Sequence, residues 1–109
     1  ILNNSAVDDN IKGYNLTATN SNSYHIYNNA QTDLTISSLN TGGAGIDIYQ
    51  NTDKNLTVKD STLGSSSNES FYSNESSVAS TITFNNDNTK LINQKGVYYQ
   101  LYTGTFELE

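Results

Sequence analysis

His25 is the chain's single imidazole, set in Tyr24-His25-Ile26-Tyr27. Nucleophilic catalysis would need a Ser, Cys or Thr activated by such a base at hydrogen-bond reach. No Ser or Cys stands at a motif-like spacing from His25, and no Gly-x-Ser-x-Gly elbow occurs. The absence of Cys removes thiolate chemistry, disulfides and zinc knuckles. Glycoside hydrolysis requires two carboxylates converging on one bond. Among Asp8, Asp9, Asp33, Asp47, Asp53, Asp60, Asp87, Glu69 and Glu75, only Asp47 falls on an expected strand face beside an aromatic residue. Asn85-Asn86-Asp87-Asn88 is rich in oxygen ligands but lacks the Asp-x-Asp-x-Asp-Gly spacing and closing Glu of a calcium loop, so it reads as a polar turn. These residues give no catalytic set, no metal site and no cofactor. Five glycosylation sequons begin at Asn3, Asn15, Asn55, Asn68 and Asn74. Composition alone yields about four, so they say little.

Elements that position these residues must be built from an unusual composition. Asn (17), Ser (14) and Thr (13) make up 44 of the 109 residues, while Arg, Cys, Met, Pro and Trp are absent. The length suits a single module spanning 1–109. Five Lys against 11 acids give a net charge of −6, which excludes phosphate neutralisation and therefore a nucleic-acid partner. No apolar run approaches the roughly 20 residues of a membrane span, and no signal peptide is recognisable, so membrane insertion is not expected. Polar richness alone would fit disorder, but the Tyr, Phe, Ile, Val and Thr content favours strands.

An internal repeat organises those strands. Asn15-Leu16-Thr17-Ala18, Asp33-Leu34-Thr35-Ile36 and Asn55-Leu56-Thr57-Val58 share one pattern, which Thr81-Ile82-Thr83-Phe84 and Thr105-Phe106-Glu107-Leu108 continue. The leading apolar positions 16, 34, 56, 82 and 106 are 18, 22, 26 and 24 residues apart. Between them recur His25-Ile26-Tyr27, Asp47-Ile48-Tyr49, Ser70-Phe71-Tyr72 and Tyr98-Tyr99. A step in the low twenties with two or three short strands matches one coil of a solenoid. The expected fold is all-β, a right-handed parallel β-helix of about four to five rungs. An antiparallel meander would also alternate, but hairpins favour Asn-Gly or Asp-Gly turns and neither dipeptide occurs. Val7-Asp8-Asp9-Asn10 reads as a weaker copy that ends an earlier rung.

Period-two alternation then assigns faces. Burying Ile46 and Ile48 turns Asp47 and Tyr49 outward, and register adds Tyr27, Tyr72 and Tyr99 to an external Tyr column, with His25 solvated beside it. A one-residue slip in the last rung would bury Val97 and Tyr99 and expose Tyr98 instead. Asn29, Asn51 and Asn74 follow the Tyr by two residues and are expected to stack as an amide ladder at the turn. Thr17, Thr35, Thr57 and Thr83 form an outward column, but its mixed neighbours spoil the flat paired array that ice binding requires. Gly42-Gly43-Ala44-Gly45, Gly64 to Asn68 and Asn85 to Gly96 read as rung-specific excursions on one side. Tyr27, Tyr49, Tyr72 and Tyr99, with Asp47 and His25, are the candidate ligand contacts. Stacked rings suit sugars or protein surfaces, or else only stiffen the sheet.

The Leu-Thr-Ile/Val rungs and Ile-Tyr-x-Asn strands resemble the pectate-lyase-like β-helix modules of cell-wall-anchored adhesins in lactobacilli and related Gram-positive bacteria. The resemblance spans roughly residues 7–108. It implies a non-catalytic, extracellular cell-surface module that binds a host or environmental glycan or glycoprotein and mediates attachment. The alternative is a structural stalk without its own ligand. The lyases of that fold use calcium-binding acids and a basic residue, usually Arg, and this chain has no Arg. Leu108-Glu109 matches the pair left by a common cloning site and is expected to be vector-derived. Open strand edges at both ends point to a fragment of a longer surface protein or to end-to-end self-association.

Overall fold

The computed structural model describes residues 1–6, 9–64, 68–73, 80–85, 89–91, 97–99 and 104–108. Every described element is a strand, and every strand pairing is parallel. The chain opens with β1 (Leu2–Asn3) and then coils through three strands per turn. The coils are β2 (Asp9–Lys12), β3 (Asn15–Ala18) and β4 (Tyr24–Asn28), then β5 (Leu34–Ser37), β6 (Asn40–Gly43) and β7 (Ile46–Gln50). Next come β8 (Leu56–Lys59), β9 (Thr62–Leu63) and β10 (Phe71–Ser73), then β11 (Ser80–Phe84), β12 (Lys90–Leu91) and β13 (Val97–Tyr99), with β14 (Gly104–Leu108) closing. Strands of like position stack into three sheets: β1-β4-β7-β10-β13, β2-β5-β8-β11-β14 and β3-β6-β9-β12. The protein is a parallel β-solenoid.

Hydrophobic burial fixes the register. Leu34, Leu56 and Ile82 lie in line with Phe106, and Ile11, Ile36, Val58 and Phe84 follow one pleat later in line with Leu108. Opposite them, Ile26, Ile48 and Phe71 face inward from the Tyr-bearing sheet, and Phe71 meets Phe84 edge-on at 5.4 Å. Each such side chain contributes about 1.5–3 kcal/mol through burial. A slip of one residue would turn these columns to solvent.

The first coil differs from the sequence expectation. Leu16-Thr17-Ala18 does not head the Leu34 column; Asp9-Asn10-Ile11-Lys12 does, pairing with Leu34-Thr35-Ile36-Ser37. Leu16 instead pairs with Thr41 in the third sheet, where it is half-buried. The true repeat positions 9, 34, 56, 82 and 106 give steps of 25, 22, 26 and 24 residues, so the 18-residue step disappears. The Thr column accordingly runs from Asn10 through Thr35, Thr57 and Thr83 to Glu107, and Thr17 lies beside Gly42.

Corners are set by backbone conformation. Gly13, Ser38 and Asp60 occupy equivalent places after β2, β5 and β8, with φ of 81°, 53° and 51°. This left-handed residue swings each coil from the second sheet into the third, at a cost of roughly 1–2 kcal/mol where a Cβ is present. Gly43 is required more strictly. Ala18 O accepts a 2.8 Å hydrogen bond from Ala44 N, and a Cβ on Gly43 would collide with that oxygen. Gly42 and Gly43 thus belong to strand β6, not to a loop. Within the first three coils, length variation falls on the connections from the third sheet to the first: two residues between β6 and β7, five between β3 and β4, seven between β9 and β10.

Candidate functional site

The outward ribbon of the first sheet is built from the next-to-last residues of β4, β7 and β10. Register places Tyr27, Tyr49 and Tyr72 one above another, with Leu2 at one end. The rings of Tyr27 and Tyr49 stack at 5.0 Å and 15°, and those of Tyr49 and Tyr72 at 5.3 Å and 8°. Tyr24, at the start of β4, adds a fourth ring, meeting Tyr49 at 4.8 Å and Tyr27 edge-on at 5.4 Å. The three stacked rings are half-buried, whereas Tyr24 is 44% exposed. Strand spacing of about 4.8 Å explains the stacking, because one residue type repeated in register brings like rings to contact distance. Each pair adds roughly 0.5–1.5 kcal/mol beyond area burial. The sandwiching covers the faces of Tyr49, so the ribbon offers ring edges and hydroxyls.

Tyr99 is not in this ribbon. Tyr98 lies in line with Tyr72, and Tyr99 with Ser73, so the last rung follows the slipped register. Tyr98-Tyr99 has two equivalent rings, and only pairing with β10 decides which occupies the column.

His25 and Asp47 also depart from expectation. Period-two alternation puts both on the solvated face, yet His25 is 3% exposed and Asp47 is fully buried. They stand opposite each other at the strand starts, just past the corner, and the next coil closes over the imidazole. Nε2 lies 2.9 Å from Gly42 O, and Nδ1 lies 3.3 Å from Ile46 O and 3.2 Å from Asp47 Oδ1. Acceptor oxygens therefore face both ring nitrogens. Ser70, also fully buried, follows Asp47 in the next coil. This column brings together a serine, a histidine and an aspartate, but all three are sealed from solvent. Its visible role is to hold the corner closed, His25 reaching the backbone oxygens of Gly42 and Ile46 with the Asp47 carboxylate beside it.

Three ladders of polar side chains run along the coil axis. The one read from sequence is present at the surface: Asn51 Nδ2 donates to Asn29 Oδ1 at 3.2 Å, and Asn29 Nδ2 to Asn4 Oδ1 at 3.1 Å. Asn74 lies outside the described residues. A second ladder, which sequence reasoning missed, is buried: Asn3 Nδ2 donates to Asn28 Oδ1 at 3.2 Å, and Asn28 Nδ2 to Gln50 Oε1 at 2.8 Å. Its signal was a polar residue directly after each Tyr, Asn28, Gln50 and Ser73, on the inward phase of the strand. At the third site Asn55 Nδ2 donates to Asp33 Oδ2 at 3.4 Å, and Thr81 N donates to Asn55 Oδ1 at 2.8 Å.

Among the described residues no cavity indents the surface, and no cluster of three His, Cys, Asp or Glu side chains could hold a metal ion. No protein-family model, curated protein or solved structure matches this chain.

Proposed function

We propose that this chain is a non-catalytic module of a bacterial cell-surface adhesin, which lays its Tyr-bearing sheet against an extended polysaccharide or surface glycoprotein. The observation that supports the reading is the cluster of Tyr24, Tyr27, Tyr49 and Tyr72, four rings gathered on one stack of parallel strands. Pre-stacked rings lose little entropy on contact, and their hydroxyls supply donors and acceptors for sugar hydroxyls. Tyr24, the most exposed of them, offers the ring surface best placed for apolar sugar faces. A ribbon that crosses three coils, with no cavity among the described residues, suits a long polymer rather than an enclosed small molecule.

A second reading, a stalk with no ligand of its own, is favoured by one specific observation: the near-parallel stacking turns the faces of Tyr49 toward its neighbours rather than solvent. Glycan-array and mucin binding by the intact chain, repeated with Tyr24→Ala and with the pair Tyr49→Ala and Tyr72→Ala, separates the two. Recognition through the ribbon predicts binding that both sets of substitutions abolish while the circular dichroism of the fold persists. Binding that survives them removes the site assignment, and no binding by the wild type supports the stalk.

A further inference from the structure

The same rings carry a chemical consequence that does not depend on ligand recognition. The chain contains no Cys, Met or Trp, so the side chains that usually absorb oxidising equivalents are missing. His25, the other oxidisable ring, is enclosed at 3% exposure. Tyrosine is left as the sink for a one-electron oxidant. Tyr49 touches three other tyrosines, Tyr27 at 5.0 Å, Tyr72 at 5.3 Å and Tyr24 at 4.8 Å. Two of those contacts, with Tyr27 and Tyr72, join successive coils in near-parallel stacks, and Tyr24 also lies on the coil before Tyr49.

We propose that the Tyr ribbon is an oxidative cross-linking site centred on Tyr49, where a haem peroxidase with hydrogen peroxide joins Tyr49 to a ring of a neighbouring coil as dityrosine. Each of the two phenols gives up one electron and one proton, leaving a tyrosyl radical. The radicals pair to form one carbon–carbon bond between ring positions ortho to the hydroxyls. The hydrogens at the joined carbons then move to the oxygens, which restores both aromatic rings. One peroxide accepts the two electrons and two protons and leaves as two waters, so the reaction balances without a further reactant. Stacked rings are already near van der Waals contact, and half-exposure leaves them room to splay edge to edge. The tether matters as much as the distance. Groups held on one scaffold experience effective concentrations of millimolar or more, so at micromolar protein the intramolecular bond is favoured about a thousandfold over a bond between chains. The product is a covalent clasp between coils.

The experiment treats the intact chain at micromolar concentration with a haem peroxidase and limiting peroxide. Dityrosine fluorescence, intact mass and denaturation midpoint are recorded. The expected product is a monomer lighter by two hydrogens, fluorescent, with a raised midpoint. Digestion after acidic residues cuts at Asp33, Asp53 and Glu69, which separates Tyr27, Tyr49 and Tyr72 into different peptides. The bridged peptides should contain Tyr49. Tyr49→Phe keeps the stacked ring and the fold but removes the phenol, and should abolish both the inter-coil bridge and the rise in midpoint. Tyr14→Phe, at a residue 48% exposed and away from the ribbon, should leave both intact. Bridges that lack Tyr49, an unchanged yield in Tyr49→Phe, or cross-links only between chains would overturn the proposal.

Discussion

Asn28→Ala tests whether the buried amide ladder holds the coils together. Asn28 is fully buried, and three groups lean on it. Asn3 Nδ2 donates to its Oδ1 at 3.2 Å, Ala30 N to the same oxygen at 3.3 Å, and its own Nδ2 donates to Gln50 Oε1 at 2.8 Å. Truncation leaves these partners in place without their counterpart. Stranding a buried polar group costs about 1–3 kcal/mol. Gln50, fully enclosed, should approach the upper figure, and Asn3, at 6% exposure near the end of the stack, the lower. These two alone give an expected loss of about 3–4 kcal/mol, to which the buried Ala30 N adds, a large part of the roughly 5–15 kcal/mol of a domain this size. With a urea slope of about 1–3 kcal/mol per molar, the unfolding midpoint falls by at least about 1 M. The matched control is Asn51→Ala in the surface ladder, where water replaces the lost amide and the cost stays within about 0.5 kcal/mol. Chemical denaturation followed by circular dichroism measures both. Equal losses at the two sites, or a loss at Asn28 below about 1 kcal/mol, would refute the reasoning.

Other outcomes follow from single contacts. Gly43→Ala should destabilise by more than about 2 kcal/mol, because its Cβ meets Ala18 O and its φ is 78°. Gly42→Ala, whose Cβ meets nothing within 4 Å, should change the melting temperature little. Asp47→Ala empties a fully buried position beside His25 and should cost about 1–3 kcal/mol by urea titration. Leu56→Ala opens a void between Leu34 and Ile82 and should cost about 2–5 kcal/mol, read from the same titration.

The apolar–polar–apolar strands around Leu34, Leu56 and Ile82 were legible because their inward positions are uniformly hydrophobic and the period is regular. The first coil misled because Asp9 stands where later coils place Leu, Ile or Phe, while Leu16 imitates the motif on a strand of the third sheet. That third sheet is nearly silent in sequence: Asn40-Thr41-Gly42-Gly43 and Thr62-Leu63 are too short or too polar to alternate visibly. His25 and Asp47 show how a corner defeats alternation. The pleat assigns them outward, but the chain of the next coil folds over them, and pattern reading has no access to that closure. The inward amides Asn28 and Gln50 were obscured for a related reason. A buried position is expected to be apolar, and only stacking in register lets a polar one satisfy itself through its own copies above and below. The choice between Tyr98 and Tyr99 rested on pairing with β10 alone.

The Tyr ribbon and the amide ladders both depend on coils stacked in parallel, each residue over its counterpart one turn away. Nuclear Overhauser contacts in a uniformly labelled sample test this most directly. The structure predicts contacts from Leu34 to Leu56 and from Leu56 to Ile82 methyls, together with ring contacts linking Tyr27 to Tyr49 and Tyr49 to Tyr72. Cross-strand contacts joining sequence-adjacent strands in antiparallel order, with none at the spacing of one coil, would contradict it.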